Sequence, residues 1–424
     1  MMTTLYNRYL QNSQICTDTR KISKGCLFFA LKGPHFNGNE FAKEALKKGA
    51  SYAIVDNQSY AIDDRYILVK DTLRSLQELA RFHRKRLKCK VIGITGSNGK
   101  TTSKELCLQV LKKKYNTMAT SGNLNNHIGV PLSILSIGSE TEIAIIEMGA
   151  NHINEIKFLC GIAQPDYGVI TNIGKAHLEG FGSLEGVLQA KTELYRYLAT
   201  KNAPIFVKDN DYLLIDKIPK ECQIIRYGEL KDSNYIIKSN GAQPFVKVLL
   251  NETLIQSKLI GDYNFDNIAL SIAIGMEFGV ETFDIKEAIE TYVASNNRSQ
   301  IIKTNANIIL LDAYNSNPMS LEKAIQNLEN IKHENKVMIL GDMFELGEET
   351  NIEHQKIIDQ CLKSGVSNVF LVGKIFNAIN NTKYTSFDNT GDLVELLKNQ
   401  AIDDAFILIK GSRGMKLEQV VDYL

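Results

Sequence analysis

Gly93-Ile94-Thr95-Gly96-Ser97-Asn98-Gly99-Lys100-Thr101-Thr102 joins a continuous apolar run, Val91 to Thr95, to a helix-patterned segment, Lys100 to Lys112. A strand that ends in a glycine-rich turn and opens a helix presents a row of backbone N–H groups to an anion, and the helix N-terminus adds partial positive charge. Gly96, Gly99, Lys100 and Thr101 have the spacing of a phosphate-binding loop, in which the lysine offsets β/γ-phosphate charge and the threonine hydroxyl faces Mg²⁺. One position departs from the GxxxxGK[ST] pattern: Ile94 stands where its first glycine belongs. The competing reading is a glycine-rich turn with an incidental lysine.

Working outward, Ile143 to Met148 and Tyr167 to Ile173 also read as buried strands alternating with helices, the grammar of a parallel sheet. Open parallel sheets bind ligands beyond the carboxyl ends of their strands, so Thr95, Glu147 and the Asn172–His177 loop are expected to converge. Glu147 follows four apolar residues, where a carboxylate is costly unless paired or bound to metal. A second-sphere Mg²⁺ role is expected for it, with a helix cap or ion pair as the alternative. By residue type alone His177 is a structural histidine. Lys191, in Gln189-Ala190-Lys191-Thr192-Glu193, reads as an ordinary solvated lysine on a helix.

The flanks divide the chain. Before residue 88, strand-like runs (Gly25 to Leu31, Tyr52 to Val55, Tyr66 to Val69) alternate with helical segments (Asn39 to Lys48, Thr72 to Lys85). A basic run follows, Arg81, Arg84, Lys85, Arg86, Lys88 and Lys90, read as a solvated helix end and boundary rather than a nucleic-acid patch. Asp209 to Leu259 reads as short strands and turns, an insertion or an antiparallel extension of the central sheet. From Arg298 a third α/β unit begins, with strands at Ile308 to Asp312, Lys336 to Gly341, Val369 to Gly373 and Phe406 to Lys410. The expected fold is α/β with three domains, 1–87, 88–297 and 298–424, which suits 424 residues at roughly 150 per domain.

With 49 basic against 48 acidic residues the net charge is +1, which argues against a nucleic-acid or acidic-membrane partner. No apolar run approaches the ~20 residues of a membrane span, and the first twenty residues lack a signal-peptide pattern. Seven scattered cysteines without a CxxC pair suit reduced thiols. The expectation is a cytoplasmic enzyme acting on discrete ligands, with monomer the simplest state.

Taken together, the motifs resemble the ATP-dependent Mur ligases of peptidoglycan synthesis over nearly the whole chain. The resemblance rests on Thr17-Asp18-Thr19-Arg20, Thr95 to Thr102, Gly122 to Pro131, Asn172 to His177, Ala190 to Glu193, Asn264 to Asn267, Asp312 to Pro318, Leu340 to Gly347 and Lys410 to Gly414. That family also departs from the strict phosphate-loop pattern at the position of Ile94. The stretches Gly122 to Pro131, Asp312 to Pro318 and Leu340 to Gly347 look like the branch that adds D-alanyl-D-alanine to UDP-N-acetylmuramoyl-tripeptide through an acyl phosphate.

The resemblance implies roles. A nucleotide-sugar domain, a central ATP-binding domain and a Rossmann-like third domain would share the work. Thr95 to Thr102 would hold ATP, with Thr101 and Glu147 on one Mg²⁺, and His177 on a second Mg²⁺ shared with a CO₂-derived carbamate on Lys191. Asn264 and Asn267 would hold adenine, while Arg298 and Asp312 would reach the γ-phosphate and ribose. Thr17, Asp18, Thr19, Arg20, Asn125 and Asn126 would meet the UDP-muramoyl substrate; Asn315, Asn317, Ser412 and Arg413 are candidates for the dipeptide acceptor. The alternatives are another ligase of the superfamily, such as a folate polyglutamylating enzyme, or a non-catalytic nucleotide-binding switch.

Overall fold

The computed structural model describes residues 2–12, 14–379 and 383–424. Three large sheets organise them, beside a two-stranded hairpin of Lys32–Gly33 and Phe36–Asn37. The first is a four-stranded parallel sheet in the order Ile15–Cys16, Leu27–Phe29, Tyr52–Val55, Tyr66–Leu68. The segment expected as a helix from Asn39 starts as a 3₁₀ turn, Gly38–Phe41, and becomes α-helical only over Ala42–Lys47. The reason is Asn39, which is fully buried and whose amide bonds Asn37 and Asp56 instead of facing solvent.

Nine strands form the central sheet. Its parallel heart runs Ile205–Lys208, Tyr167–Ile170, Lys90–Thr95, Ile143–Glu147, Thr117–Ala119. On the other side it continues through Ile224–Gly228, Tyr235–Ser239, Phe245–Leu250 and Thr253–Ile260. The stretch from Asp209 to Leu259 is therefore an extension of this sheet, but Ile224–Gly228 and Tyr235–Ser239 still pair in parallel, and only the last two strands turn antiparallel. Strands Lys90–Thr95 and Ile143–Glu147 carry no solvated face: Val91, Ile92, Ile94, Ala144, Ile145 and Ile146 are all fully buried, because helices cover both sides.

The third sheet has six strands in the order Gln300–Lys303, Asn307–Asp312, Ala405–Lys410, Lys336–Gly341, Asn368–Val372, Thr385–Phe387, of which only the first is antiparallel. Helix Pro318–Asn330 starts with a capping box, in which the Asn317 side chain accepts from Ser320 N–H and the Ser320 side chain reaches back.

The basic run before the central sheet is not wholly solvated. Arg84 is buried, donating to the carbonyls of Ala163 and Gln164 and to Asp166 at 2.8 Å. Helices Met2–Asn12 and Thr72–Arg84 share one apolar core with central residues such as Ile134, Ile146 and Ile156. All seven cysteines are buried and unbridged. No helix among the described residues is long and apolar enough to cross a membrane.

Candidate active site

The turn after Lys90–Thr95 works only with glycine at two places. Gly96 has φ +142°, and a Cβ there would lie 2.0 Å from the Thr171 hydroxyl. Gly99 has φ +80°, and its Cβ would meet Asn267 Oδ1 at 2.4 Å. The loop is held by the next strand's outgoing segment. Thr171 Oγ1 and Asn172 Nδ2 donate to the Asn98 carbonyl at 2.6 and 3.1 Å, Asn98 N–H donates to Asn172 Oδ1, and Ser97 exchanges bonds with Gly174. Adjacent carboxyl ends of a parallel sheet thus brace the phosphate-loop turn.

Lys100 folds back onto the loop carbonyls of Gly96 and Ser97, at 2.6 and 3.0 Å. Burial pushes its ammonium down to about 8, opposed by Glu147 and assisted by Arg298. Thr101 donates its hydroxyl to Glu147 Oε2 at 2.9 Å, and Asn125 donates to Glu147 Oε1 at 2.8 Å. Glu147 is 1% exposed, so its charge is met inside the protein.

A cavity of about 730 Å³ opens above the loop between the second and third sheets. Ser97, Asn98, Gly99, Lys100 and Thr102 line it with Asn125, Asn126, Glu147, His177, Lys191, Asn264 and Asn267 from the central unit. The third unit contributes Arg298, Asp312, Asn315 and Asn317. Thr95, Gly96 and Thr101 lie beneath the wall, with Thr95 Oγ1 donating to the Met148 carbonyl at 2.7 Å. Asn264 and Asn267 brace the loop: Asn267 bonds Asn264 and Ser103, and Asn264 bonds the Ile260 carbonyl.

The third unit touches the loop directly. Asn98 and Asn317 exchange amide hydrogen bonds at 2.7 and 3.5 Å. Arg298 stacks on Tyr314 with its guanidinium carbon 3.7 Å from the ring centre, and Arg413 approaches the same ring at 4.9 Å. Ser412 lies behind Phe344, accepting its N–H, and neither Ser412 nor Arg413 lines the cavity. Asp312 accepts from Ser299 N–H and pairs with buried Lys410 at 2.5 Å. Among the described residues, none before Ser97 lines the cavity. Asp18 and Arg20 pair with each other at 2.8 Å near the surface, and the Arg20 hydrogen bonds pull the Asp18 carboxyl down to about 2.

Lys191 corrects the reading from composition. It is 2% exposed rather than solvated, with Nζ 3.2 Å from the Ala150 carbonyl and 5.3 Å from the Phe181 ring centre. Burial and the charge of Lys100 push it down to about 7, against Glu155 and Glu193. Glu193, from the same motif, caps the helix Glu155–Ala163 by accepting from Asn154 and Lys157 N–H at 2.6 and 2.8 Å. His177 has φ +53° and contacts Glu345 of the third unit, whose carboxyl that bond holds low. Beside it Lys175 pairs with Glu349 and Glu353 at 2.5 and 2.9 Å. Sequence reading missed Glu345, Lys410 and the fully buried Lys104; Glu345 and Lys410 lay inside quoted motifs, but residue type alone does not reveal partners 168 and 98 positions away.

Among the described residues no three His, Cys, Asp or Glu side chains gather as a ready metal cage. One carboxylate and one hydroxyl at the loop fit Mg²⁺, which keeps several waters and is held jointly by protein and substrate phosphates.

A phosphate loop braced by neighbouring strand ends, with a second α/β unit closing the cavity above it, defines an enzyme class that handles a nucleoside triphosphate between domains. The comparisons specify which. Residues 12–84 match the Mur ligase family catalytic domain, 94–275 the Mur ligase middle domain and 297–413 the Mur ligase glutamate ligase domain. The UDP-N-acetylmuramoyl-tripeptide–D-alanyl-D-alanine ligase of Bacillus subtilis is 34% identical over 96% of this chain and 92% of that one. The enzyme of the same name from Escherichia coli is 33% identical over 99% and 96%. Among solved structures, MurF from Acinetobacter baumannii superposes with a TM-score of 0.84 at 30% identity, covering 96% of this chain and 92% of that one. MurF ligase from Thermotoga maritima in complex with ADP gives 0.84 at 27% identity, covering 98% and 97%. The chain belongs to the Mur ligase family.

Proposed function

We propose that this protein joins D-alanyl-D-alanine to UDP-N-acetylmuramoyl-tripeptide with hydrolysis of ATP to ADP and phosphate, in peptidoglycan precursor synthesis. One observation carries the reaction type: the phosphate loop, Glu147 and the third unit's Arg298 and Asp312 line a single cavity. A γ-phosphate at Lys100 would lie between two units that each carry cationic groups. The choice of substrates follows the names of the relatives.

In the first step an oxygen of the tripeptide's terminal carboxylate attacks the γ-phosphorus, a new O–P bond forms, and the bond to the β,γ-bridging oxygen breaks to release ADP. Lys100 and Arg298 lower the cost of bringing two anions together. In the second step the dipeptide's neutral amine attacks the acyl carbon of the resulting acyl phosphate. The tetrahedral adduct collapses, the C–O bond to phosphate breaks, and the nitrogen loses a proton. Water must be kept from the acyl phosphate, a task suited to a cavity between two units that close.

Mg²⁺, when bound, would be held by Thr101 and Glu147 and would neutralise phosphate oxygens. A second ion would be held by His177 through Nε2 and by a carbamate on Lys191, with Nδ1 able to keep its bond to Glu345. Two features support the carbamate: the buried amine, pushed down to about 7, is substantially neutral at neutral pH, and a carbamate would replace a cation that repels Mg²⁺ with an anion that binds it. In this reading residues 1–87 bind the UDP-muramoyl substrate through Asp18, Thr19 and Arg20, residues 88–297 hold ATP, and residues 298–424 supply the ribose and dipeptide side.

Coupled ADP release tests the proposal. Turnover should require both UDP-N-acetylmuramoyl-tripeptide and D-alanyl-D-alanine. Activity with glutamate and a folate but none with the dipeptide would overturn it in favour of another ligase. ATP binding with no phosphate formed from any amine acceptor would leave a nucleotide-binding switch. For the carbamate, ¹³C-labelled CO₂ should give a carbonyl NMR signal in the wild type that is missing from Lys191→Ala.

A further inference from the structure

Lys104 is a buried cation beside the phosphate loop that the proposed mechanism does not use. It lies one turn beyond Lys100 on helix Lys100–Leu111, near the positive end of the helix dipole, and its side chain is 0% exposed. Removing an ammonium from water costs several kcal/mol even after relaxation, so a lysine here needs strong partners. It has three: the Thr120 carbonyl at 2.5 Å, Glu105 at 3.0 Å and Glu147 Oε2 at 3.8 Å.

Two of these partners, Thr120 and Glu147, belong to one ring of contacts. The Thr120 hydroxyl accepts the Glu147 N–H at 3.0 Å. Five residues further along, Asn125 donates to Glu147 Oε1, and its own carbonyl accepts Gly149 N–H at 2.8 Å. Thr101 takes the other carboxylate oxygen. Lys104 therefore ties the start of the Thr120–Asn126 loop to the phosphate-loop helix, and it is the cation nearest the carboxylate on its protein side. An apolar side chain could fill the volume, but it could neither balance Glu147 nor donate to the Thr120 carbonyl.

We infer that Lys104 is a positioning residue for the ligation: it holds the Glu147 carboxylate and the Thr120–Asn126 loop in the geometry that receives Mg²⁺ and the phosphates. The inference rests on the Mg²⁺ role proposed for Glu147. Lys104 itself touches neither substrate nor metal; it does not line the cavity.

Calorimetric binding of a non-hydrolysable ATP analogue, with and without Mg²⁺, tests this in the full-length protein. Lys104→Met should bind the analogue as the wild type does without Mg²⁺, since Lys100 and the loop amides remain. The tightening that Mg²⁺ brings should fall by about 10–100-fold, the usual cost of losing a partner that orients a metal ligand. Lys104→Gln, which keeps an N–H for the Thr120 carbonyl, should recover part of that loss, and it carries the test if the methionine variant does not fold. A lower melting temperature with unchanged Mg²⁺-dependent tightening in the folded variant overturns the inference and leaves a packing role. Stronger Mg²⁺ tightening than in the wild type also overturns it, because Lys104 would then merely oppose the metal's charge. A wild type whose analogue binding ignores Mg²⁺ defeats the underlying role of Glu147, and the inference with it.

Discussion

The central unit is joined to its two neighbours by different chemistry. Toward the N-terminal unit, Leu5, Tyr9, Leu76 and Leu79 share a dry core with central residues, Tyr9 donates to the Leu135 carbonyl at 2.6 Å, and Arg84 is sealed against Asp166. Toward the third unit, apart from Ile260 and Phe245 packed on its core, the contacts around the cavity are polar: Asn98 with Asn317, Lys175 with Glu349 and Glu353, and His177 with Glu345. Separating the first pair exposes apolar surface and strands a buried charge. Separating the second returns polar groups to water, several of which (Lys175, Glu345 and Glu349) are already partly exposed, at smaller cost. The side that must admit and release substrates is the side built from contacts that part easily.

The largest effect expected in this comparison falls on the phosphate loop, where no contact substitutes for the lysine. Lys100→Ala should lose ATP binding and turnover together, by about 100–1,000-fold in rate, as for removal of one preorganised charge at a reacting centre; calorimetry and ADP release check it. Retained turnover would refute the loop's role.

Lys191 comes next and separates chemistry from folding. Lys191→Ala should abolish ligation while the melting temperature stays near that of the wild type, because the packing lost is offset by relief of a poorly solvated ammonium. Short added carboxylates should restore part of the activity. The pH dependence has a defined sign. The folded protein holds Lys191 at about 7, below the ordinary lysine value of 10.5, so the unfolded chain binds more protons between those limits. Stability should therefore rise with pH from about 7 toward 10. The increment should be smaller in Lys191→Met, measured as the difference in melting temperature across that range; equal slopes would place the residue in solvent.

On the dry side, Arg84→Met should destabilise the protein by about 3 kcal/mol, since it takes the guanidinium away from Asp166, which then keeps only the Val91 N–H, and from two carbonyls, and should leave kcat unchanged. Denaturant unfolding beside an ADP-release assay decides; a kinetic defect at unchanged stability would contradict the division drawn above. The smallest effect belongs to Lys175→Met on the polar side. Lys175 is 37% exposed, so its pairs with Glu349 and Glu353 are worth about 1 kcal/mol or less and are screened by salt. A fall of a few-fold in kcat/KM at low ionic strength should vanish in high salt.

The phosphate loop, the strand ends around it and the burial of Glu147 were legible because each depends on residues a few positions apart: an apolar run, two glycines and a carboxylate closing a strand. Four of the third unit's six strands were legible for the same reason; the edge strands Gln300–Lys303 and Thr385–Phe387 were not. Lys191 was not, because its burial is made by Ala150, Phe181 and the helix capped by Glu193, none of which changes the look of an Ala-Lys-Thr-Glu segment. Arg84 was hidden inside a basic run in which Lys85, Arg86, Lys88 and Lys90 are exposed, and its partner is 82 positions away.

The sequence by itself determined the buried strands beside the phosphate loop and placed a phosphate-binding turn at Gly96 to Thr101, since apolar periodicity and the backbone freedom of glycine act locally. Only the tertiary structure decided which charges live out of water. Lys104, Lys191 and Arg84 are lysines and an arginine like many others until the fold removes solvent from them and supplies carbonyls and carboxylates from distant segments. Desolvation and pairing are properties of the surroundings of a group, and those surroundings exist only once the chain has folded.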